Sequence, residues 1–295
     1  MPELPEVETI RRGLNKYVVG HKIIDVEVVH PGPLQGDIKQ VIGSQVIGVR
    51  RIGKGLILDL SNGYSLAIHI KLTGQLIYRD KKTEKEPFSK TKVGSIPNKF
   101  THVIFKFKVQ NAKGKIASQK SKVDAPRLYY NDQRRFGWIR VIPTDKVLDL
   151  PFFKTMGPEP FKDLTLEVFS KIVKNKTTKI KPLIMDQTVI GGIGNIYAND
   201  ALFKSKINPQ RPAKSLSNQE TKLLYNSILA VMEKSFKEGG ASELSFVNIL
   251  GQEGNYQNHS LVYGKAGKHC PRGDGTIKRI TLGGRGTFFC ENCQR

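Results

Sequence analysis

The chain has 295 residues, of which 38% are hydrophobic, so it is long enough for two domains with ordinary cores. Lysine and arginine total 48 against 26 acidic residues, and the resulting formal charge of +22 favours a polyanionic partner. No apolar run approaches the roughly 18 residues of a membrane span. The N-terminus, MPELPEVE, has no apolar segment of the secretory kind. These features argue against a membrane protein and a secreted one.

The first predicted element is a helix that begins almost at once. Apolar residues recur at helical spacing over residues 6–19, and Pro5 suits the first turn because its missing N–H costs nothing there. Acidic side chains at Glu6 and Glu8 complement the positive end of the helix. We therefore expect residues 1–4 to be held against the body of the protein.

A series of short strands follows the helix. Alternating or fully apolar segments predict strands at 23–29, 56–60, 65–70, 75–78, 102–108, 127–132 and 138–142. Asn62-Gly63, between two of them, is a strong hairpin signal. The polar, lysine-rich stretch 110–124 reads as a mobile loop. We expect an antiparallel β-sandwich with a helix at its edge, over residues 1–143.

After Pro143 the pattern becomes helical. Helices are predicted at 164–174, at 181–187 and from Asn195, where a glycine-rich turn ends. Ser217 and Glu220 form a capping box for another helix, which should stop at Gly239. The predicted fold class is α+β, with a helical domain over 144–261 and a terminal β-hairpin over 262–295.

All three cysteines lie in the last 26 residues, which argues against a disulfide framework. Cys290 and Cys293 form a C-x-x-C pair, and Cys270 precedes them. This clustering indicates a metal site with one ligand missing, because a structural zinc site takes four ligands.

Pro2 becomes a secondary amine if the initiator methionine is removed. An α-amino group titrates near 7.7–8.0, well below a lysine, so more of it is free base at neutral pH. Such an amine can attack an aldehyde-like carbon and form a Schiff base. Glu3 is adjacent and can move protons. Many proteins begin with Met-Pro, so this feature needs support from the rest of the chain.

That support comes from motifs spread over essentially the whole chain, which resembles the formamidopyrimidine-DNA glycosylase family. The motifs occur in family order: PELPEVETIRRGL, RRIGKGLILDL, NDQRRFGW, GPEPF, LIMDQTVIGGIGNIYANDALF, LVYGKAGKHC and GGRGTFFCENCQ. The related endonuclease VIII branch begins PEGPE, so PELPEVET favours the purine-acting branch. The resemblance implies a helix-two-turn-helix in the helical domain and a zinc-finger-like terminal hairpin.

The resemblance also implies a catalytic set. Pro2 would attack the sugar C1′ and displace the damaged base, and Glu3 would donate a proton to the opening sugar. Lys54 would contact phosphate and assist elimination. Arg285, in the terminal hairpin, would contact phosphate and assist δ-elimination.

Further residues are implied to contact DNA. The damaged nucleotide must leave the duplex to reach Pro2, and Leu72, Arg134 and Phe136 would fill the gap, with Arg134 bonding the orphaned cytosine. Asn195 would hold the phosphate beside the lesion, since a helix N-terminus after glycines favours an anion. Lys176 and Lys181 would touch the DNA backbone. A mobile loop within 244–260 would close over the extruded base.

Three departures from the family pattern are visible. Gly273 stands where relatives have the second zinc cysteine, so zinc would need Asp274 or His269 as its fourth ligand, or would bind weakly or not at all. Phe100 replaces a DNA-contacting histidine, and Asp200 replaces a frequent glutamate.

The expected partner is double-stranded DNA containing oxidised bases, acted on by a monomer in the cytoplasm or nucleoid. Three alternatives remain open at this stage. They are a glycosylase that prefers oxidised pyrimidines, a lesion or abasic-site binder without chemistry, and a general architectural DNA-binding protein.

Overall fold

The computed structural model describes residues 1–108, 125–273 and 275–295. In these ranges the chain forms two compact units. The first unit comprises Met1–Lys154 and Glu238–Asn255, and the second comprises Thr155–Lys237 and Tyr256–Arg295. The loop predicted at 110–124 lies outside the described residues. Among the helices that the structure describes, none has the length and apolar character needed to cross a membrane.

The first unit is built on two sheets. One has the strand order β1-β7-β8-β6 and the other β2-β9-β5-β4-β3. β2 pairs with β9 in parallel, and the other pairs are antiparallel. The strands are β1 (Lys22–Val28), β2 (Leu34–Gln35), β3 (Val46–Ile52), β4 (Gly55–Leu60), β5 (Tyr64–His69), β6 (Gly74–Arg79), β7 (Thr101–Lys108), β8 (Arg127–Asp132) and β9 (Trp138–Pro143).

The core of the first unit follows the two-residue alternation of its strands. Leu56 and Leu58 of β4 pack in the main core with Phe105 of β7. Ile57, between them, faces the other side of its sheet and packs against Phe153. Both faces of β4 are therefore covered, which explains its continuous apolar sequence.

Helix α1 (Leu4–Tyr17) begins two residues before its predicted start. Val7, Ile10 and Leu14 are fully buried along one face. A Cβ on Gly13 would lie only 2.3 Å from the Ile249 side chain, so glycine is needed for this close approach. A short helix, α2 (Pro151–Lys154), ends the first part of this unit.

Residues 238–255 were predicted within the helical domain but pack in the first unit. The Tyr78 N–H donates to the Ile249 carbonyl at 2.7 Å, which adds this segment to the end of β6. Phe246 is buried in the main core. These contacts are long-range in sequence, and a helix-stop signal at Gly239 gives no information about them.

The second unit contains α3 (Leu166–Lys174), α4 (Ile180–Met185), α5 (Asn195–Lys204), α6 (Asn218–Lys237) and the hairpin β10 (Lys278–Leu282) with β11 (Arg285–Phe289). The capping box is confirmed: the Ser217 N–H donates to the Glu220 carboxylate at 2.8 Å, and the Glu220 N–H donates to the Ser217 hydroxyl at 3.2 Å. The Gln294 amide donates to the Ile207 carbonyl at 2.9 Å. The terminal hairpin and the helices thus form one unit, where the sequence suggested a boundary at 261/262.

Candidate active site and nucleic-acid interface

The N-terminal segment is fixed in the first unit. Pro2 and Glu3 are buried. Glu6 accepts from the Glu3 N–H at 2.8 Å with one carboxylate oxygen, and from the Ala241 N–H at 2.8 Å with the other. Pro2 is preceded by Met1, so its nitrogen is an amide until that methionine is removed. The Pro2 amine would therefore form at a position that is already held.

Lys54 occupies the two-residue turn between β3 and β4, where Gly53 adopts a φ of +57°. The Arg51 guanidinium donates to the Gly53 carbonyl at 2.9 Å and contacts the Glu8 carboxylate at 3.3 Å, which stabilises the turn. Lys54 itself is only 4% exposed. The turn predicted by the resemblance is present, and it presents this lysine from a rigid β-hairpin.

His69, at the end of β5, lies near Lys54. Burial, together with the nearby charges of Lys71 and Lys54, lowers its pKa to about 3. Its Nδ1 faces the Lys71 N–H at 2.9 Å, and its ring contacts Phe152 and Trp138. The imidazole is therefore uncharged at neutral pH. Sequence analysis missed His69, although a histidine at the end of the apolar run SLAIHI was a visible signal.

The turn after β8 carries Arg134 and Phe136, and it is hydrogen-bonded to Thr73, the residue after Leu72. Buried Asp132 accepts from the Gly137 N–H at 2.8 Å, from the Arg134 N–H at 3.2 Å and from the Thr73 hydroxyl. The Thr73 oxygen also accepts from the Arg134 N–H at 3.0 Å, which ties the residue after Leu72 to this turn. Sequence analysis missed Asp132, one of whose partners, Thr73, lies 59 residues away.

Phe136 is 55% exposed. The Arg134 guanidinium lies 4.7 Å from the centre of its ring. An exposed ring beside a cation, on a turn held by a buried carboxylate, suits insertion into a nucleic-acid stack. Leu72 is half-buried beside them.

Lys181 does not lie on the surface, which corrects its assignment as a backbone contact. Its side chain is fully buried, and its Nζ donates to the Asn195 Oδ1 at 2.8 Å, the Thr287 hydroxyl at 2.7 Å and the Gly286 carbonyl at 3.0 Å. Each of the three hydrogens of the Lys181 ammonium group thus has an acceptor within the protein. Lys181 joins the start of α5 to β11, the strand that carries Arg285.

The remaining predicted contacts of the second unit are exposed or half-buried. Arg285 is the first residue of β11, after the tight Gly283-Gly284 turn, and is exposed, as is Lys176. Asn195 begins α5, and its amide donates to the Gly286 carbonyl at 3.0 Å. The roles of these three residues stay predictions.

The three cysteines form a cluster that fits a metal ion. Their sulfurs all lie within 4.8 Å of one another, and those of Cys270 and Cys293 are 3.7 Å apart. Tetrahedral zinc with bonds of about 2.3 Å needs sulfurs about 3.8 Å apart. Burial alone would raise the pKa of the Cys290 thiol, but hydrogen bonds from the backbone N–H groups of Cys293 and Asn292 lower it overall. This favours the thiolate, which is the ligand form, at Cys290, whereas burial raises the pKa of the Cys293 thiol to about 11.

The fourth ligand is not shown. Gly273 has a φ of +80° and open space at its Cβ position. His269 is described and exposed, but it is not part of the cluster, so the structure does not support it as a ligand. Asp274 lies outside the described residues.

Three family models together match most of the chain. The formamidopyrimidine-DNA glycosylase N-terminal domain matches residues 1–139, and the H2TH domain of the same family matches 156–246. The zinc finger found in FPG and IleRS matches residues 267–295. The chain belongs to the formamidopyrimidine-DNA glycosylase family.

Full-length relatives agree with this assignment. The chain is 37% identical to formamidopyrimidine-DNA glycosylases of Pelotomaculum thermopropionicum and Lactiplantibacillus plantarum, with 99–100% of each protein covered. It is also similar to the Lactococcus lactis family member crystallised with DNA containing Fapy-dG, at 34% identity and a TM-score of 0.81, covering 99% of this chain and 100% of that one. The same Lactococcus protein was crystallised with N7-benzyl-Fapy-dG DNA and with DNA containing an oxidised pyrimidine.

Proposed function

We propose that this family member is a DNA glycosylase of base-excision repair that removes oxidised purines and then cleaves the DNA strand. The observation that carries the proposal is the buried Pro2–Glu3 segment held by Glu6, in a chain that matches formamidopyrimidine-DNA glycosylases over its full length. A non-catalytic lesion binder or an architectural protein would have no use for a terminal amine fixed in this way.

The proposed reaction begins when the free Pro2 amine attacks the sugar C1′. A bond forms between nitrogen and C1′, the bond from C1′ to the base breaks, and the base leaves with a proton. Glu3 donates a proton to the opening sugar. The amine then loses its proton, and its lone pair forms the C1′=N iminium as the C1′–O4′ bond breaks, with O4′ taking the proton from Glu3. The iminium acidifies the C2′ hydrogen, so β-elimination releases the 3′ phosphate and δ-elimination releases the 5′ phosphate.

Lys54 and Arg285 are the proposed phosphate contacts for these eliminations. Each is presented by a β-turn. Lys54 contributes from the β3–β4 turn of the first unit and Arg285 from the β10–β11 turn of the second.

Damage recognition is assigned to Leu72, Arg134 and Phe136. Phe136 would insert into the base stack, Leu72 would fill the gap left by the extruded nucleotide, and Arg134 would donate to the orphaned cytosine. Asn195 and Lys176 are proposed contacts of the second unit with the DNA backbone, and Lys181 supports them from the interior.

Zinc is the proposed structural metal of the terminal hairpin. Cys270, Cys290 and Cys293 would hold it, and we propose Asp274 as the fourth ligand because His269 lies apart from the cluster. The metal would stabilise the hairpin that carries Arg285, and no step of the reaction passes through it. We further propose that the protein acts as a monomer on chromosomal DNA in the cytoplasm.

Borohydride trapping tests the proposed chemistry directly. Protein with a confirmed Pro2 terminus is mixed with a duplex containing 8-oxoguanine opposite cytosine, and the reductant converts the iminium into a stable adduct. We expect an adduct at residue 2, and none with Pro2→Gly carrying an acetylated terminus. Binding to the duplex without an adduct would favour the non-catalytic lesion binder. Adduct formation only on an oxidised-pyrimidine duplex would favour the pyrimidine-preferring glycosylase, a substrate class with which the Lactococcus relative was crystallised.

A further inference from the structure

Two segments of the first unit that are distant in sequence contact each other in a way that the proposed chemistry does not use. The return segment is Glu238–Asn255, and the connecting segment is residues 80–100, between β6 and β7. The Lys92 Nζ donates to the Leu244 carbonyl at 2.7 Å and lies 3.7 Å from the Glu253 carboxylate. One lysine of the connecting segment therefore holds the return segment at two points.

Gln75 makes the second connection. It lies in β6 and is only 5% exposed. Its side-chain amide donates to the Lys92 carbonyl at 3.0 Å and to the Ser245 carbonyl at 2.8 Å. Both hydrogens of one NH₂ group are thus used to join the connecting and return segments to the sheet.

The return segment also contacts two parts of the candidate site. The Ala241 N–H donates to the Glu6 carboxylate at 2.8 Å, and Glu6 is the residue that holds the Glu3 backbone. Four residues later, the Ser245 hydroxyl donates to the Leu72 carbonyl at 2.9 Å. Residues 241–245 therefore connect the residue that holds the Pro2–Glu3 segment with Leu72, the proposed gap-filling residue.

A cavity of about 530 Å³ borders this arrangement. Its lining includes Thr73, Gln75, Lys92, Asn131 and Ser245, so Gln75 and Lys92 both form part of its wall. The volume lies within the range of about 300–1,000 Å³ that is usual for pockets of small ligands. A shift of the return segment would change the shape of this wall.

We propose that Lys92 and Gln75 are positioning residues that latch residues 241–245 in the conformation required for excision of a damaged base. The inference rests on the proposed glycosylase function and deepens it. Neither residue touches the reacting atoms. They act through the return segment, whose position determines how an extruded base is enclosed next to Pro2. A preformed abasic site has no base to enclose, so its cleavage does not need the latch.

The test compares base excision with strand cleavage in the same protein. Lys92→Met keeps most of the side-chain volume and removes the donor to Leu244. Single-turnover rates are measured on a duplex with 8-oxoguanine opposite cytosine and on the same duplex with a preformed abasic site. We expect excision to slow by about tenfold, as for loss of one charge-assisted hydrogen bond, with abasic-site cleavage within about twofold of wild type.

Lys90→Met is the matched control. Lys90 is an exposed lysine two residues away that also lines the cavity, so its replacement removes the same charge. We expect both rates to stay at wild-type values. If Lys90→Met and Lys92→Met slow excision equally, the effect is one of charge and the latch is overturned. Equal slowing of both reactions by Lys92→Met, or slowing of neither, would also overturn it.

A second variant gives an independent measurement. Gln75→Leu removes both hydrogen bonds that the Gln75 side chain donates. Backbone amide hydrogen exchange of residues 241–251 measures how firmly the return segment is held. We expect faster exchange there in Gln75→Leu and in Lys92→Met, and no change in Lys90→Met. Unchanged exchange in all three would contradict the latch. If the proposed glycosylase function itself is wrong, the wild-type protein releases no base and cleaves neither duplex. That result is distinct from failure of the latch, in which the wild-type protein is active.

Discussion

His69 shows how the first unit determines the charge state of a single residue. Its ring is 3% exposed and packed against aromatic rings, and two lysines lie nearby, so protonation in the folded state is unfavourable. Its folded pKa, about 3, lies below the ordinary value of 6.5. The folded protein therefore resists a proton that the unfolded chain accepts.

This difference predicts a pH-dependent stability. Between pH 6 and pH 4 the unfolded state binds more protons at His69, so acidification lowers the free energy of unfolding by up to about 1.4 kcal/mol per pH unit from this group. The contribution is complete above pH 6.5 and is lost as the pH falls towards 3. Urea unfolding at several pH values, followed by fluorescence of the single tryptophan, Trp138, measures it.

The control for this prediction is His69→Asn, which keeps a side-chain acceptor for the Lys71 N–H. The slope of its unfolding free energy against pH should correspond to about one proton fewer than in the wild type, since only the carboxylates and other histidines still titrate. Equal slopes in the two proteins would show that His69 is protonated in the folded state, and would contradict the buried, neutral imidazole.

At the residue scale, sequence alone offers candidates where the pattern is local, and it gives little information where a role depends on packing. Pro2 and Glu3 were identifiable because they stand at the terminus in a distinctive string. Lys181 was not, because nothing in IKPLIM distinguishes a buried lysine with three acceptors from an exposed one. Gln75 was missed because its partners, Lys92 and Ser245, lie 17 and 170 residues away in sequence. Asp132 was missed although Arg134 and Gly137 are close to it in sequence.

At the scale of elements, the terminal hairpin is attached to α5 by contacts that do not involve metal. The Arg272 guanidinium donates to the Phe203 carbonyl at 2.7 Å and to the Lys204 carbonyl at 3.1 Å, and it lies 4.4 Å from the centre of the Phe203 ring. Phe203 also packs in a small core with Cys270 and Cys290. The hairpin therefore has a second anchor beside the proposed zinc site.

Metal removal should consequently weaken the hairpin without unfolding the first unit. We expect one zinc per chain in the purified protein, and Cys290→Ser should reduce zinc content several-fold and lower the Tm of the second unit. Asp274→Ala should also reduce zinc content if Asp274 is the fourth ligand. His269→Ala is the matched control and should leave zinc content unchanged. A zinc-free wild-type protein with an unchanged Tm after chelation would contradict the metal site.

Elements with local signals were predictable, and those defined by tertiary pairing were not. The capping box at Ser217 and the Asn62-Gly63 turn gave correct positions because their hydrogen bonds are short-range. β3 was missed because Gly48 and two arginines interrupt its apolar alternation, and it is stabilised by pairing with β4. Residues 238–255 were assigned to the wrong unit for the same reason.

At the scale of the whole molecule, the decisive property is charge. A formal +22 over 295 residues corresponds to far more cationic than anionic side chains. Some of these cations are already neutralised within the protein, as Arg50 is by Asp59 at 2.6 Å and Lys106 by Asp25 at 3.0 Å. Others, such as Lys176 and Arg285, are exposed and available to phosphate.

The charge predicts a steep salt dependence of DNA binding. Each neutralised phosphate contributes a slope of about −0.9 to the plot of log K against log salt concentration, so about six contacts would lower affinity about a thousandfold between 50 and 200 mM salt. Fluorescence anisotropy with an undamaged duplex measures this term apart from lesion recognition.

Lys176→Ala should reduce the slope by about one, because it removes a single exposed cation. Lys181→Met should leave the slope unchanged, because that ammonium is buried against protein acceptors. An equal reduction by both variants would mean that Lys181 reaches phosphate after all, and a flat salt response would rule out a cationic DNA-binding surface.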